Sequence, residues 1–381
     1  MENIYLDHAA TTPIDPEVVE SMLPYFTENF GNPSSVHRHG QRAEAAIETA
    51  REKIAAVLSC EPKQIIFTSG GSEADNLAIR GTALARKFDN QADRILITAV
   101  EHEAVTKTAK QLRDLFGFRL EFIPIDHEGK VIVSELEKLL AKDVAIVSTI
   151  YGNNEIGTIN PIRDIGALCK EHGIPFHTDA VQAMGYIDIQ SNENFSLLSA
   201  GAHKFYGPKG VGFIFIKKGL RLYPHQTGGS QENGMRAGTH NVPYIIGMST
   251  ALEKTRLKHK EYHRYYEKLS ERIISGVIQS IPGSILTGSA TDRLCNHASF
   301  VIDGVDGNDL AMALDLEGFS CSSGSACKTG NPEPSEVLLA IGLSKEQAQG
   351  SLRVTVGRNT TEDEVTNFLK ILPGVVDRVK A

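Results

Sequence analysis

The chain has 381 residues, with 39 Lys plus Arg against 47 Asp plus Glu, for a formal net charge of -8. With 41% hydrophobic and 23% charged residues it has the mix of an ordinary globular protein, long enough for a large domain and a smaller one. That balance argues against long-range attraction to nucleic acid or an anionic membrane.

The longest apolar runs, such as 144–147 and 213–216, are strand-length, far short of the roughly 20 residues that span a bilayer. Residues 1–6 lack the basic-then-apolar pattern of a secretory signal. Asp15, Pro16 and Glu17 start an early helix, with a cap residue and then Pro in the first helical position. Over 41–58, Ala46, Ile47, Ala50, Ile54, Val57 and Leu58 recur at helical steps. Strands are expected at 64–68 (QIIFT), 94–99 (RILITA), 119–123 (RLEFI), 144–149 (VAIVST), 175–178 (PFHT) and 211–216. Helices fill 104–116 and 162–171, the latter stopped by Gly173. This alternation implies parallel βαβ units with right-handed crossovers.

The character changes after about residue 245. A long charged helix, whole or broken, covers 247–280. Strands at 284–286 and 298–302 follow, then a helix at 308–316 and a Ser- and Gly-rich loop at 320–334. A helix, a strand at 352–356 and a last helix from 361 complete a small α+β unit. No internal repeat or low-complexity tract is present.

Three segments converge on a phosphate-bearing aromatic cofactor. In TSGGSE (68–73) a strand runs into Ser and Gly before a helix, whose first N–H groups make an anion site. In HTDAVQ (177–182) Asp179 ends an apolar strand, where open α/β sheets place ligands; a carboxylate there can hold a pyridinium nitrogen. In AHKFYGPKG (202–210) Lys204 lies between two buried strands, a costly place for an amine unless it is chemically used, for example as a Schiff base. Separately, a capped turn, a helix N-cap and a surface Lys explain these segments as well; together they are the parts of a pyridoxal phosphate site. His102, after RILITA, adds a flat ring that can stack on the pyridine.

A fourth segment bears on the reaction. The five cysteines are Cys60, Cys169, Cys295, Cys321 and Cys327, odd in number and without CxxC spacing. A disulfide framework and a zinc site are therefore not expected, and a reducing compartment is. SSGSACKTG (322–330) puts Cys327 in a small-residue loop, where Lys328 favours the thiolate. Cys321 is its rival at the loop entrance. Arg353 in SLRVT can clamp a carboxylate, and Asn154 follows the VAIVST strand.

With YLDHAATTP at 5–13, GNPSS at 31–35, SSGSAC at 322–327 and LRVTVGR at 352–358, the chain resembles the cysteine desulfurases. These are pyridoxal-phosphate enzymes of class V aminotransferase-like fold, and the match covers nearly the whole chain. The resemblance implies an α/β, fold-type I architecture: a mostly parallel, seven-stranded-type sheet flanked by helices, plus a smaller α+β domain. It divides the chain into a large cofactor-binding domain (15–255) and a small one (1–14 and 256–381) carrying a mobile catalytic loop at about 321–334.

It further implies that Lys204 holds pyridoxal 5'-phosphate and moves protons. Asp179 pairs the ring nitrogen, Gln182 bonds the ring hydroxyl, and His102 stacks and assists proton transfer. Gly71, Ser72 and His203 bind the phosphate, while Thr239 reaches the phosphate of the partner subunit in a homodimer. Asn154 contacts cofactor and substrate, and Arg353 holds the substrate carboxylate. Cys327 takes sulfur from L-cysteine as a persulfide, leaving L-alanine, and passes it to an acceptor protein. That acceptor is an iron–sulfur scaffold or a tRNA or DNA thiolation enzyme. No metal, nucleic acid or membrane contact is implied, and the location is cytoplasmic.

The chain departs from the family at Gly201, where a Ser is usual, so one phosphate hydroxyl is missing. The family's HGGG run is here TGGS (227–230), and Asn233 stands where an Arg is often found. The chain also ends at Ala381 without the tail by which housekeeping members recruit an iron–sulfur scaffold. The rival enzyme readings are a selenocysteine lyase and another fold-type I enzyme, such as an aminotransferase, which needs no loop thiol. A cofactor-free sulfur-relay scaffold is the non-enzyme reading.

Overall fold

A computed structural model describes residues 3–324 and 334–380. Its strands are β1 (Ile4–Tyr5), β2 (Ile65–Thr68), β3 (Arg94–Thr98), β4 (Arg119–Ile123), β5 (Val144–Ile150), β6 (Phe176–Asp179), β7 (Leu197–Gly201) and β8 (Gly212–Ile216). β9 (Ser284–Leu286), β10 (His297–Ile302), β11 (Phe319–Ser320) and β12 (Ser351–Thr355) follow.

β2 to β8 form one sheet in the order β2-β8-β7-β6-β5-β3-β4. The strands from β7 to β4 pair in parallel, while β8 runs antiparallel to both β7 and β2. All seven residues of β5 are buried, as expected of a parallel strand covered by helices on both faces. Helix Arg38–Leu58 packs Ala43, Ile47, Ala50 and Ile54 into the core on one face. Helix Glu103–Phe116 puts Val105, Ala109 and Leu112 into the core on the other.

β12, β10 and β9 make a second, antiparallel sheet, against which helices His259–Ser280 and Glu362–Lys380 bury Leu269, Ile273, Phe368 and Leu372. The N-terminal β1 pairs with β11, and Asp7 bridges to Thr355. The first residues of the chain are thus built into the same region as its last strand.

Several local expectations need correction. β7 was not expected from the sequence: LLSAG has only two large apolar residues, and its small buried residues carry no alternation. The helix expected over 247–280, whole or broken, takes the broken form: Val242–Leu257 and His259–Ser280 meet at Lys258, whose backbone leaves the helical region, so only its start needs moving. The first begins five residues earlier than expected, where Asn241 caps it and Pro243 sits in its first turn. Helix Arg38–Leu58 likewise starts before residue 41, because His37 Nδ1 accepts the N–H of Gly40. β11 lies in what read as the mouth of a loop.

Candidate active site

The carboxyl ends of β2, β6 and β7 open onto one cavity of about 230 Å³. Gly71, Ser72, His102, Asn154, Asp179, Gln182, His203, Lys204 and Arg353 line it, together with Ala9, Ala10 and Asp75. Thr239 is exposed and does not line this cavity, and Cys327 lies outside the described residues.

At one end, β2 passes through Ser69 and Gly70 into the short helix Gly71–Asn76, whose first turn faces the cavity. Gly71 is required by crowding: a Cβ there would lie 2.4 Å from Val181 Cγ2. The turn is tied down by Glu73, which accepts from Ser69 N at 2.7 Å and from Arg236 Nε at 2.8 Å. His203 places Nδ1 3.2 Å from Thr11 Oγ1. Burial, with the charges of Lys204 and Lys209, pushes its imidazole down to about 4, so the ring is neutral and offers one N–H. Gly201 packs against this turn; a Cβ there would lie 3.3 Å from Gly71 N.

The floor is Asp179, 3% exposed at the end of β6. Its Oδ1 accepts from Val181 N at 2.9 Å, a local turn bond rather than a helix cap, since the 3-10 turn that follows, Ala183–Gly185, has Gln182 in the cap position. Burial raises its pKa, and His102 and Lys204 draw it back down. His102 caps helix Glu103–Phe116 through Nδ1, 3.1 Å from Ala104 N, and its ring borders the cavity. Gln182 donates Nε2 to Ala9 O at 2.5 Å.

Lys204 sits in a single 3-10 turn between β7 and β8. Its Nζ donates to Ala9 O at 2.5 Å and Ala10 O at 2.8 Å. Burial, then the charge of Arg353, lowers the amine to about 8, against the pull of Asp7 and Asp179. An amine so poised is partly neutral near physiological pH, the state that attacks a carbonyl.

The opposite wall is Arg353, in the middle of β12. One terminal nitrogen is 2.8 Å from Asp7 Oδ1 and the other 3.0 Å from Asn154 O, which also accepts from His297 Nε2 at 3.2 Å. Its Nε is buried without a hydrogen-bond partner among the described residues. A neighbouring cavity of about 320 Å³ shares His102, Asn154 and Arg353 with the first. Ser322, Gly324 and Ser335, which flank the residues outside the description, line it as well. Ser335 Oγ donates to half-buried Glu155 Oε2 at 2.5 Å.

The four described cysteines are free. Burial pushes Cys169 and Cys295 up to about 12 and Cys60 to about 11, and raises Cys321 further still. None of these thiols is poised as a thiolate.

Sequence reasoning missed Asp7, Asp75 and the carbonyls of Ala9 and Ala10. Asp75 follows Ser72 by three residues and so shares its helix face, a spacing that could have drawn attention to a charged residue there. The site as a whole has an anion-binding turn, an amine, a floor of buried acid and a guanidinium. Among the described residues, Asp75, His102 and Asp179 bring donor atoms within 4.8 Å of one another, and Asp75 Oδ1 is buried with no hydrogen-bond partner. Such a floor calls for a positive partner. A group with a phosphate, a protonated ring nitrogen and an aldehyde meets a complementary residue at each point, so the residues fit pyridoxal phosphate.

Comparison with known proteins agrees. The aminotransferase class-V family model matches residues 4–368. The chain belongs to this family, whose members use pyridoxal phosphate, and within it stands among the cysteine desulfurases. It is 44% identical over 378 residues to cysteine desulfurase IscS of Clostridium botulinum, covering 98% of this chain and 94% of that one. It is 45% identical over 379 residues to cysteine desulfurase IscS of Dictyoglomus turgidum, covering 99% and 95%. Among solved structures, a NifS-like protein superposes with a TM-score of 0.91 at 35% identity, covering 99% of this chain and 100% of that one. A structure described as SspA in complex with cysteine superposes at 0.78 and 32% identity, covering 93% and 98%. Among the described residues no helix is long and apolar enough to cross a membrane.

Proposed function

We propose that this chain is a cysteine desulfurase that uses pyridoxal 5'-phosphate to convert L-cysteine to L-alanine, with the sulfur carried as a persulfide on Cys327. The observation that carries the reading is the convergence of Lys204 Nζ, Asp179 and Arg353 on one cavity. The solved relative described as a complex with cysteine supports the choice of substrate.

When bound, pyridoxal phosphate supplies an aldehyde for the substrate amine and a protonated ring that withdraws electrons from the substrate's carbons. The helix turn at Gly71 and Ser72, with the neutral His203, holds the phosphate. Asp179 would keep the ring nitrogen protonated, Gln182 would hold the ring hydroxyl, and His102, which borders the same cavity, would lie against the ring. Arg353 takes the substrate carboxylate in its planar fork, with the Asn154 carbonyl fixing one arm. Lys204, with its lowered pKa, takes the proton from the substrate Cα and returns one as alanine forms. The Cys327 thiolate attacks the substrate sulfur; an S–S bond forms, the C–S bond breaks, and its electron pair stays with the substrate carbon, which is then protonated.

The Cys327→Ala variant tests this. Its yellow colour should persist while sulfide release from cysteine is lost; unchanged sulfide release would overturn the role of Cys327. Preference for selenocysteine over cysteine in the same assay would favour a lyase instead.

A homodimer belongs to the proposal, with exposed Thr239 reaching the neighbouring subunit's phosphate. So do a sulfur-acceptor protein and a reducing, cytoplasmic setting. The IscS names of the relatives favour iron–sulfur assembly as the destination. The mass of the assembly in solution, and capture of an acceptor by the persulfidated protein, test these parts.

A further inference from the structure

Asp75 is 1% exposed, lines the cofactor cavity, and has a donor atom within 4.8 Å of one on Asp179. Two carboxyl groups this close in a buried site each disfavour the other's ionisation, so a proton retained on one of them relieves both. The groups around them decide which keeps the proton. Asp179 accepts the N–H of Val181 and faces Lys204 from the β7–β8 connection and His102 from the helix cap, both of which favour its charged form. Asp75 is desolvated by burial, has an oxygen without a hydrogen bond, and faces Asp179 and Glu101, all of which disfavour its charge; a hydrogen bond with Ser199 offsets them only in part. Among the described residues, His102 lies within 4.8 Å of both carboxyl groups and so is shared with Asp179, while the other imidazole nearby, His177, has Nε2 at 3.6 Å from Asp75 Oδ1. That imidazole is held between Ser148 and Ser199, and burial pushes it down to about 3, so it is neutral and lends no charge.

We infer that Asp75 is a positioning residue for Asp179: it stays protonated beneath the ring, so that Asp179 alone is the carboxylate that faces the ring nitrogen. The inference rests on the cofactor reading above. Physically, a second anion under the ring would compete for the same proton and would strengthen the hold on every cation nearby, Lys204 included. A neutral acid of the same shape fills the space without either effect.

The test uses Asp75→Asn, which keeps the shape and fixes the charge at zero, with Asp75→Ala as a second variant should the first not fold. Infrared difference spectra of the cofactor-free proteins at neutral pH should show a protonated carboxylic acid stretch in the native chain that is missing from the variant. Loss of carboxylate bands alone would overturn the inference. Glu101→Gln serves as the control that marks the other buried acid. In the cofactor-loaded proteins, the pH midpoint of the visible band should be the same in native and Asp75→Asn within a few tenths of a unit. If Asp75 were ionised, removing its charge would lower that midpoint by about one unit or more, which would also overturn the inference. Absence of any visible band in the native protein, or its survival in Lys204→Ala, would instead defeat the cofactor reading, and the infrared result would still judge the proton on Asp75.

Discussion

The floor of the cavity and its outer wall are built in different ways. The floor comes from neighbouring strands of one sheet: Asp179 ends β6, and β7 leads directly into Lys204. The wall is held by contacts between the ends of the chain, Arg353 to Asp7 across 346 positions and Arg353 to Asn154 across 199. The floor is set by sheet register. The wall is set by how the two sheets and the N-terminal segment dock. A residue on the floor is therefore expected to govern whether a cofactor is held and how its electrons respond, and a residue on the wall to govern which substrate is accepted.

The largest test of that division is Lys204→Ala. The visible band should vanish on reconstitution, and sulfide release should fall by about a thousand-fold or more. A variant that kept both would remove the floor's central role. Next is Arg353→Lys, which keeps the charge and loses the planar fork. KM for cysteine should rise by about ten- to a hundred-fold with the cofactor spectrum unchanged, a spread that follows from losing one or two charge-assisted hydrogen bonds. A changed spectrum with unchanged KM would reverse the assignment of floor and wall.

The floor also has a pH signature. Glu101 is buried beside it and accepts from Thr98 Oγ1 and Ile150 N; burial pushes its carboxyl up to about 8. Its folded-state pKa lies above the unfolded value of about 4.3. The stability it contributes is therefore fully present below that value and is lost as pH rises through about 8. In the cofactor-free protein, Glu101→Gln should flatten the fall in Tm between about pH 5 and pH 8 relative to native. Parallel curves for the two proteins would refute the raised pKa.

The smallest effects concern the phosphate turn. Gly71→Ala should destabilise by about 1–3 kcal/mol through the clash with Val181, and the added change Val181→Ala should relieve much of it. Additive losses in the double variant, measured by denaturant unfolding, would show that the two residues do not meet.

The two regions also differ in how far the sequence reveals them. Asp179 and Lys204 were readable because each stands next to an apolar strand and because the two occur together with an anion-binding turn; taken singly, a cap residue and a surface Lys would have explained them. β7 itself was not readable, since Ser199, Ala200 and Gly201 are buried for their small size and give no periodic signal. Asp7 and the Ala9 and Ala10 carbonyls were invisible in role because their partners lie roughly 190 to 350 positions away, and no local rule connects them. Asp75 was missed for the opposite reason: it reads as a surface helix residue, and only the fold buries it.

The single antiparallel strand in the large sheet has a mechanical consequence. Because β8 reverses direction, Gly201 and Gly212 pair side by side, and the segment that carries Lys204 leaves and re-enters the sheet at the same edge. A parallel neighbour would have sent the chain through a helix to the far edge and back. The amine thus rides on a short span clamped at both ends, and the Ala9 and Ala10 carbonyls brace it from the side. Such a span deflects little under load. The backbone under Lys204 is thereby pinned, and whatever travel the amine makes comes from the rotatable bonds of its own side chain.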